Sequence, residues 1–294
     1  MEYFSEKLNR FAQSPPKYKK MSIKRPNEPT LAIREWGNPL GREILFIHGF
    51  SEGQLSFFKQ TYSELAEKFR MVTLDLRGHG ESGKPPDAAS YIGRHWADDL
   101  KATMDATGLK KPVLVGWSLG GFVIAFYLST YGDSQIGGIN LIGSPVVFDP
   151  NLSPPNTGPV ASLMQSDDLE TNIQGSLAFV HACVAKPLPP EELHFMLALT
   201  MMSPAPVRKA VLSGMELSAS KPEKINTIFQ NTSVPILITW GSADSFHPVA
   251  RANYMKRKIK GSKLSLYEEI GHSPFWEDPV RFNKELSDFV DGIQ

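Results

Sequence analysis

The sequence predicts an α/β protein with a doubly wound, mostly parallel sheet and an inserted helical domain. Three observations carry this reading. Short apolar runs recur at residues 44–47, 71–74, 113–115 and 139–142. Helical spacings lie between them, the alternation expected of βαβ units. That alternation stops near Ser144 and resumes at Pro235.

The elements follow in order. Phe4, Leu8 and Phe11 recur at helical spacing, and residues 14–20 are rich in proline and lysine. Residues 1–20 therefore read as a short helix and a linker, an N-terminal extension. Residues 31–36 have strand character and end at the turn Gly37-Asn-Pro39. The run 44–47 suits a strand buried on both faces. Leu55, Phe58, Tyr62, Leu65 and Phe69 predict one amphipathic helix. A strand at 71–74 follows. Ile92, Trp96, Leu100 and Met104 step by four and predict a helix closed by Gly108.

Residues 112–132 hold no charged side chain, a length that would suit a membrane span. Gly116, Ser118, Gly120 and Gly121 break the stretch, so a strand at 113–115 and a buried helix at 122–128 fit better. After the strand 139–142, residues 145–232 are punctuated by eleven prolines and show no strand pattern. They predict several short helices. Leu177, Val180, His181 and Val184 form one apolar face, and Leu193, Met196, Leu197 and 199–202 another. A strand at 235–239, a helix near 248–260, a strand at 264–267 and a helix near 279–290 complete the chain. The expected domains are a core of residues 21–144 and 233–294 and a helical insert of residues 145–232.

Composition narrows the function. Lysine plus arginine number 31 and aspartate plus glutamate 31, a net charge of zero. Nucleic-acid binding needs a basic excess, so it is not expected. A hydrophobic share of 41% is that of a globular chain. Cys183 is the single cysteine; it can form no internal disulfide, and it reads as a small core residue. The first twenty residues carry charges and no signal-like apolar run, so a cytoplasmic protein with no membrane partner is expected. No histidine–carboxylate cluster has metal spacing, and neither metal nor cofactor is expected.

The strongest motif is Gly116-Trp-Ser118-Leu-Gly-Gly121, set between a strand and a helix. This is the nucleophile-elbow pattern: a serine on a strained turn, glycines where backbones approach closely, and a helix N-terminus aimed at a developing oxyanion. An elbow serine needs a base. His272, in Gly271-His-Ser-Pro274, follows the last strand and precedes the last helix. His48 and His79 read as structural, His48 bracing its own loop. His95, His181 and His194 lie on predicted helices. His247 either faces the insert or caps the helix beginning at Pro248. Asp244, after the strand 235–239, is the expected orienting acid. Its competitors are Asp149 and Asp75, the latter expected to tie its loop through Arg77. The order Ser118, Asp244, His272 is that of hydrolases built on such sheets.

With these pieces in view, the chain resembles the α/β-hydrolase superfamily over nearly all its length after residue 20. The matching motifs are His48-Gly-Phe50, Asp75-Leu-Arg-Gly-His-Gly-Glu-Ser82, the elbow, Gly241-Ser-Ala-Asp244 and Gly271-His-Ser-Pro274. The resemblance implies an oxyanion hole made by the backbone N–H groups of Phe50 and Leu119, and a cap formed by the helical insert. Haloalkane dehalogenases and soluble epoxide hydrolases of this superfamily carry aspartate where this chain has Ser118. A serine implies acyl-enzyme chemistry on esters, thioesters, lactones or amides, or carbon–carbon cleavage of diketones. The elbow is similar to those of methyl-ester carboxylesterases, pimeloyl-carrier-protein methyl esterases included, and of arylesterase/perhydrolase relatives. The expectation is a serine carboxylic-ester hydrolase acting on a small-molecule ester. Lactonase, perhydrolase and carbon–carbon hydrolase readings stay open, as does a ligand receptor without turnover.

Softer expectations concern specificity. Phe50, Trp117, Phe246, His247 and Phe275 adjoin the triad or oxyanion positions and are expected to line an apolar acyl pocket, Trp117, Phe246 and Phe275 being the ones singled out. An insert with an apolar underside would roof the serine and favour small to medium acyl groups. Met196, Met201, Met202 and Met215 would make that roof adaptable. The sequence assigns no oligomeric state.

Overall fold

The protein is described by a computed structural model covering residues 18–147, 149, 151–152, 158–218 and 227–293. The proposed helix at residues 1–12 lies outside these described residues.

Eight strands form one sheet: β1 (Tyr18–Ile23), β2 (Leu31–Gly37), β3 (Glu43–Ile47), β4 (Arg70–Asp75), β5 (Val113–Trp117), β6 (Gly138–Ile142), β7 (Ile236–Gly241) and β8 (Lys263–Tyr267). Their spatial order is β1-β2-β4-β3-β5-β6-β7-β8. The β1–β2 and β2–β4 pairs are antiparallel; the remaining pairs, from β4–β3 to β7–β8, are parallel. The central strands are buried on both faces, β5 at every residue, as their continuous apolar runs require.

The longer helices are α1 (Gly93–Thr107), α2 (Leu119–Tyr131), α3 (Gly158–Met164), α4 (Leu169–Ala182), α5 (Pro190–Met201), α6 (Ala205–Ser218), α7 (Val249–Lys258) and α8 (Pro279–Asp291). Helix α1 ends at Gly108, which takes the left-handed cap conformation (φ 68°). Helices α3 to α6 make up the insert. Among the described residues no helix is long and apolar enough to cross a membrane. The uncharged stretch 112–132 is β5 followed by buried α2.

Two expectations fail for identifiable reasons. Tyr18–Ile23 is a strand rather than part of a linker, so the sheet begins inside the presumed extension. It is an edge strand carrying exposed Lys19 and Lys20, which protect an open edge and hide its alternation. The single helix expected from Leu55 to Phe69 is broken into Gln54–Phe57, Phe58–Thr61 and Leu65–Lys68. Hydroxyls compete for its backbone: Thr61 Oγ1 donates to Phe57 O, Ser63 Oγ donates to Gln60 O and accepts from Leu65 N.

Candidate active site

Ser118 stands between β5 and α2 with φ 51° and ψ −113°, a strained setting for a residue with a side chain. Three hydrogen bonds hold it: Ser118 N donates to Ile142 O (2.9 Å), while Ser118 O accepts from Gly121 N (3.1 Å) and Ser144 Oγ (2.6 Å). Gly120 is required for the close approach. A Cβ there would lie 2.2 Å from Ile47 O, so the elbow would be forced away from β3.

His272 lies after β8 and is 3% exposed; Asp244 lies after β7 and is 8% exposed. His272 Nδ1 donates to Asp244 Oδ2 over 2.8 Å. The other carboxylate oxygen of Asp244 accepts from the Phe246 and His247 amides (2.9 and 3.0 Å). Burial alone would raise the Asp244 pKa. The His272 ring and its hydrogen bond outweigh burial, with help from His247, and the carboxyl is held below its usual range.

The histidine is fixed from three sides. Trp117 Nε1 donates to His272 O (3.0 Å). Glu277 Oε1 accepts from Gly271 N and Glu277 Oε2 from Ala185 N, both 2.8 Å, which ties the histidine loop to the segment after α4. Gly143 (φ 50°) leaves room for the ring: a Cβ there would sit 2.8 Å from His272 Nδ1.

Ser118 and His272 open onto one cavity of about 120 Å³. The core contributes Phe50, Phe246 and His247 to its lining. The insert contributes Val160, Ala161 and Met164 from α3, Phe179 from α4 and Leu212 from α6. Three helices of the insert thus form part of the cavity wall that Ser118 faces. Phe50, Phe179 and Phe246 form an aromatic row ending at His272, with edge contacts at its two ends and a tilted one between Phe179 and Phe246.

Of the expected pocket residues, Phe50, Phe246 and His247 line this cavity and Trp117 and Phe275 do not. Trp117 and Phe275 pack on each other beneath it (centroids 5.0 Å apart), because β5 and the Pro274–Glu277 turn point them into the core. None of Met196, Met201, Met202 and Met215 lines it; Met164 does. Asp149 hydrogen-bonds Asn151, not His272. Asp75 holds its loop by accepting from Gln54 and Glu81, rather than through Arg77. Arg77 instead pairs with Asp99 and Glu28.

The oxyanion expectation has a supporting geometry. No described residue accepts a hydrogen bond from the Phe50 or Leu119 amide. His48 Nε2 accepts from Leu76 N (3.0 Å), so that nitrogen carries no proton and Nδ1–H donates to Gly49 O (2.7 Å). Gly49 O belongs to the same peptide unit as the Phe50 N–H, and His48 therefore fixes its plane. Burial keeps the His48 ring neutral by lowering its pKa to about 4. Among the described residues no cluster of three or more histidine, cysteine or acidic side chains could hold a metal.

Reasoning from sequence missed Glu277, Ser144 and the cap lining, whose roles depend on contacts between distant segments. Their one sequence signal is position, beside the elbow strand's neighbour and the His272 turn.

The alpha/beta hydrolase fold family model matches residues 43–279. The chain belongs to the alpha/beta hydrolase fold family. An X-ray structure of a provisionally assigned aryl esterase from Burkholderia cenocepacia superposes on this hydrolase with a TM-score of 0.83. It is 36% identical, over 93% of this chain and 98% of that one. An AB hydrolase superfamily protein of Bacillus subtilis is 26% identical over 91% of this chain and 97% of its own. A pimeloyl-[acyl-carrier protein] methyl ester esterase of Aliivibrio fischeri is 24% identical over 85% and 94%.

Proposed function

We propose that this hydrolase cleaves small to medium carboxylic esters through an acyl-enzyme. The observation that carries the proposal is the His272 Nδ1–Asp244 Oδ2 bond beside Ser118 on one cavity. With Nδ1 engaged, Nε2 of His272 is the nitrogen left to take the Ser118 proton. Ser118 Oγ then bonds to the ester carbonyl carbon, and the carbonyl electron pair moves to oxygen. The Phe50 and Leu119 amides and the N-terminus of α2 meet that negative charge. Collapse of the adduct breaks the bond to the alcohol, which takes the proton from His272. Water, deprotonated by the same nitrogen, releases the acid and restores Ser118.

The small apolar cavity supports the substrate class. About 120 Å³ holds a short acyl chain or one aromatic ring and not a triglyceride. The relationship to the Burkholderia protein makes aryl esters of short acids the first substrates to try.

The test is a fluorophosphonate probe with Ser118→Ala as the control. The probe should label Ser118, and Ser118→Ala should lose about 10³-fold or more in turnover of a short aryl ester. Full activity in Ser118→Ala would end the proposal. A panel of lactones and diketones run beside the esters separates the related chemistries that share this triad.

A further inference from the structure

Two of the buried polar seams among the described residues that join the cap to the core contrast in charge. In one, Lys59 Nζ donates to Glu192 Oε2 (2.8 Å) and Trp276 O (3.0 Å), and Trp276 Nε1 donates to the same glutamate. It pairs a cation with a carboxylate and lies beside the Pro274–Glu277 turn. The other is built on Arg208 of α6 and is different in kind.

Arg208 is fully buried. Its Nε donates to Ser51 Oγ (2.9 Å), and its Nη2 to Thr200 O (2.6 Å). Its Nη1 reaches Met164 O (3.0 Å), Asn172 Oδ1 (3.1 Å) and Ser176 Oγ (2.9 Å). Every one of these acceptors is neutral. Among the described residues no carboxylate makes an ion pair with Arg208. The buried carboxyl of Glu52 acts on it through space without a hydrogen bond between them, and is also linked to it through Thr200, whose hydroxyl donates to Glu52 Oε1 (2.9 Å). A buried guanidinium with no carboxylate in contact is an expensive way to close a cap, and an apolar side chain would do it at less cost.

What Arg208 gains is a hold on one core residue. Its contacts gather α3, α4 and α5 onto Ser51. Ser51 has φ 56°, uncommon for a residue with a side chain, and its hydroxyl is used in both directions: it accepts from Arg208 and donates to Thr200 O (3.2 Å). Ser51 directly follows Phe50. The Phe50 amide therefore lies between two anchors, His48 on the Gly49 side and the Ser51 clamp on the other.

We propose that Arg208, through Ser51, is a positioning residue that aims the Phe50 N–H at the substrate oxyanion, so that the cap completes the oxyanion hole. The inference rests on the acyl-enzyme reading above and goes beyond it, because it makes the cap part of the catalytic geometry rather than only its roof.

The test compares Ser51→Ala and Arg208→Lys with Glu192→Gln, which weakens the other seam. For each, kcat and KM on a short aryl ester, inhibition by a trifluoromethyl ketone, and the thermal midpoint are measured. Ser51→Ala and Arg208→Lys should lower kcat about 10- to 100-fold with little change in KM, and weaken the ketone by a similar factor. Glu192→Gln should lower the thermal midpoint and leave kcat within about twofold. Wild-type kcat and ketone affinity in Ser51→Ala would overturn the inference, even if Arg208→Lys fails to fold. So would an equal loss of kcat in Glu192→Gln. Failure of the acyl-enzyme reading looks different: Ser118→Ala would keep its turnover, and the ketone would not inhibit the wild type.

Discussion

The loops after β4 and β7 begin alike and end in different chemistry. Each carries a buried aspartate at the C-terminal end of a strand, and each contains a buried histidine. Asp75 uses both oxygens on its own surroundings, accepting from Gln54 N (2.7 Å), Gln54 Nε2 (2.8 Å) and Glu81 N (2.9 Å). Asp244 satisfies its neighbours with Oδ1 alone and keeps Oδ2 for His272. His79 turns its Nδ1 to Arg77 O and packs against the His48 ring. His247 faces the cavity. Of the two, only Asp244 has an oxygen left over for a histidine brought to it from another loop, and under the proposed mechanism that makes it the orienting acid.

The largest expected effect tests that contrast directly. Asp244→Asn should keep the fold and lose about 10⁴-fold in kcat, because an amide cannot hold His272 in the required tautomer. Asp75→Asn should do the reverse. Its NH₂ group would confront the N–H donors of Gln54 or Glu81, costing about 1–3 kcal/mol of stability while the folded fraction keeps most of its turnover. Turnover of a short aryl ester and urea unfolding of both variants check this. An Asp75→Asn enzyme that is stable and inactive would erase the distinction.

Much of this contrast was legible in the sequence. Glycines and short apolar runs mark strand ends, and Ser118, Asp244 and His272 each follow one. Asp75 follows one too, and what separates it from Asp244 is the side chain of Gln54, a contact that no local pattern announces. The same limit explains Arg208. In the sequence it is one charge in a Pro-punctuated stretch, and no local pattern marks it for burial. Its burial follows from three cap helices presenting carbonyls and hydroxyls to one point. Trp117 and Phe275 were misread for a simpler reason: pocket aromatics and core aromatics have the same composition.

A middle-sized effect concerns acid. Burial is the main cause that lowers His79 and His247 to about 3 and His48 to about 4, with neighbouring His48 and His272 adding to it for the first two. The folded values lie below the value of about 6.5 expected of an unfolded chain. Above pH 6.5 these rings are neutral in both states and the stability is fully present. As pH falls, the unfolded chain takes up protons first, and stability is lost on the way toward pH 3. Each ring adds a slope approaching about 1.4 kcal/mol per pH unit in that window. Urea unfolding at pH 7, 6 and 5 should steepen accordingly. A flat profile would mean that all three rings are charged or open to water in the folded protein.

The smallest effect separates the two histidines. Both have a buried ring nitrogen without a partner: Nε2 in His79 and Nδ1 in His247. In the β4 loop the His79 ring itself holds the backbone through Arg77 O. In the β7 loop the His247 backbone does the holding, since its N–H donates to Asp244 and its carbonyl accepts from Trp240 Nε1 (3.0 Å). His247→Leu keeps those backbone bonds, nearly conserves volume and removes a buried nitrogen with nothing to bond. The expected change in stability at pH 7 is within about 1 kcal/mol and on the stabilising side, because an unmet polar group is a penalty that the leucine lacks. The acid slope should shrink by one ring's share, and turnover of apolar short-chain esters should change little. His79→Leu should be clearly destabilising, since it cuts the bond to Arg77 O. Equal losses in the two variants would show that the His247 ring, like that of His79, is a brace for its loop and not merely a wall of the cavity.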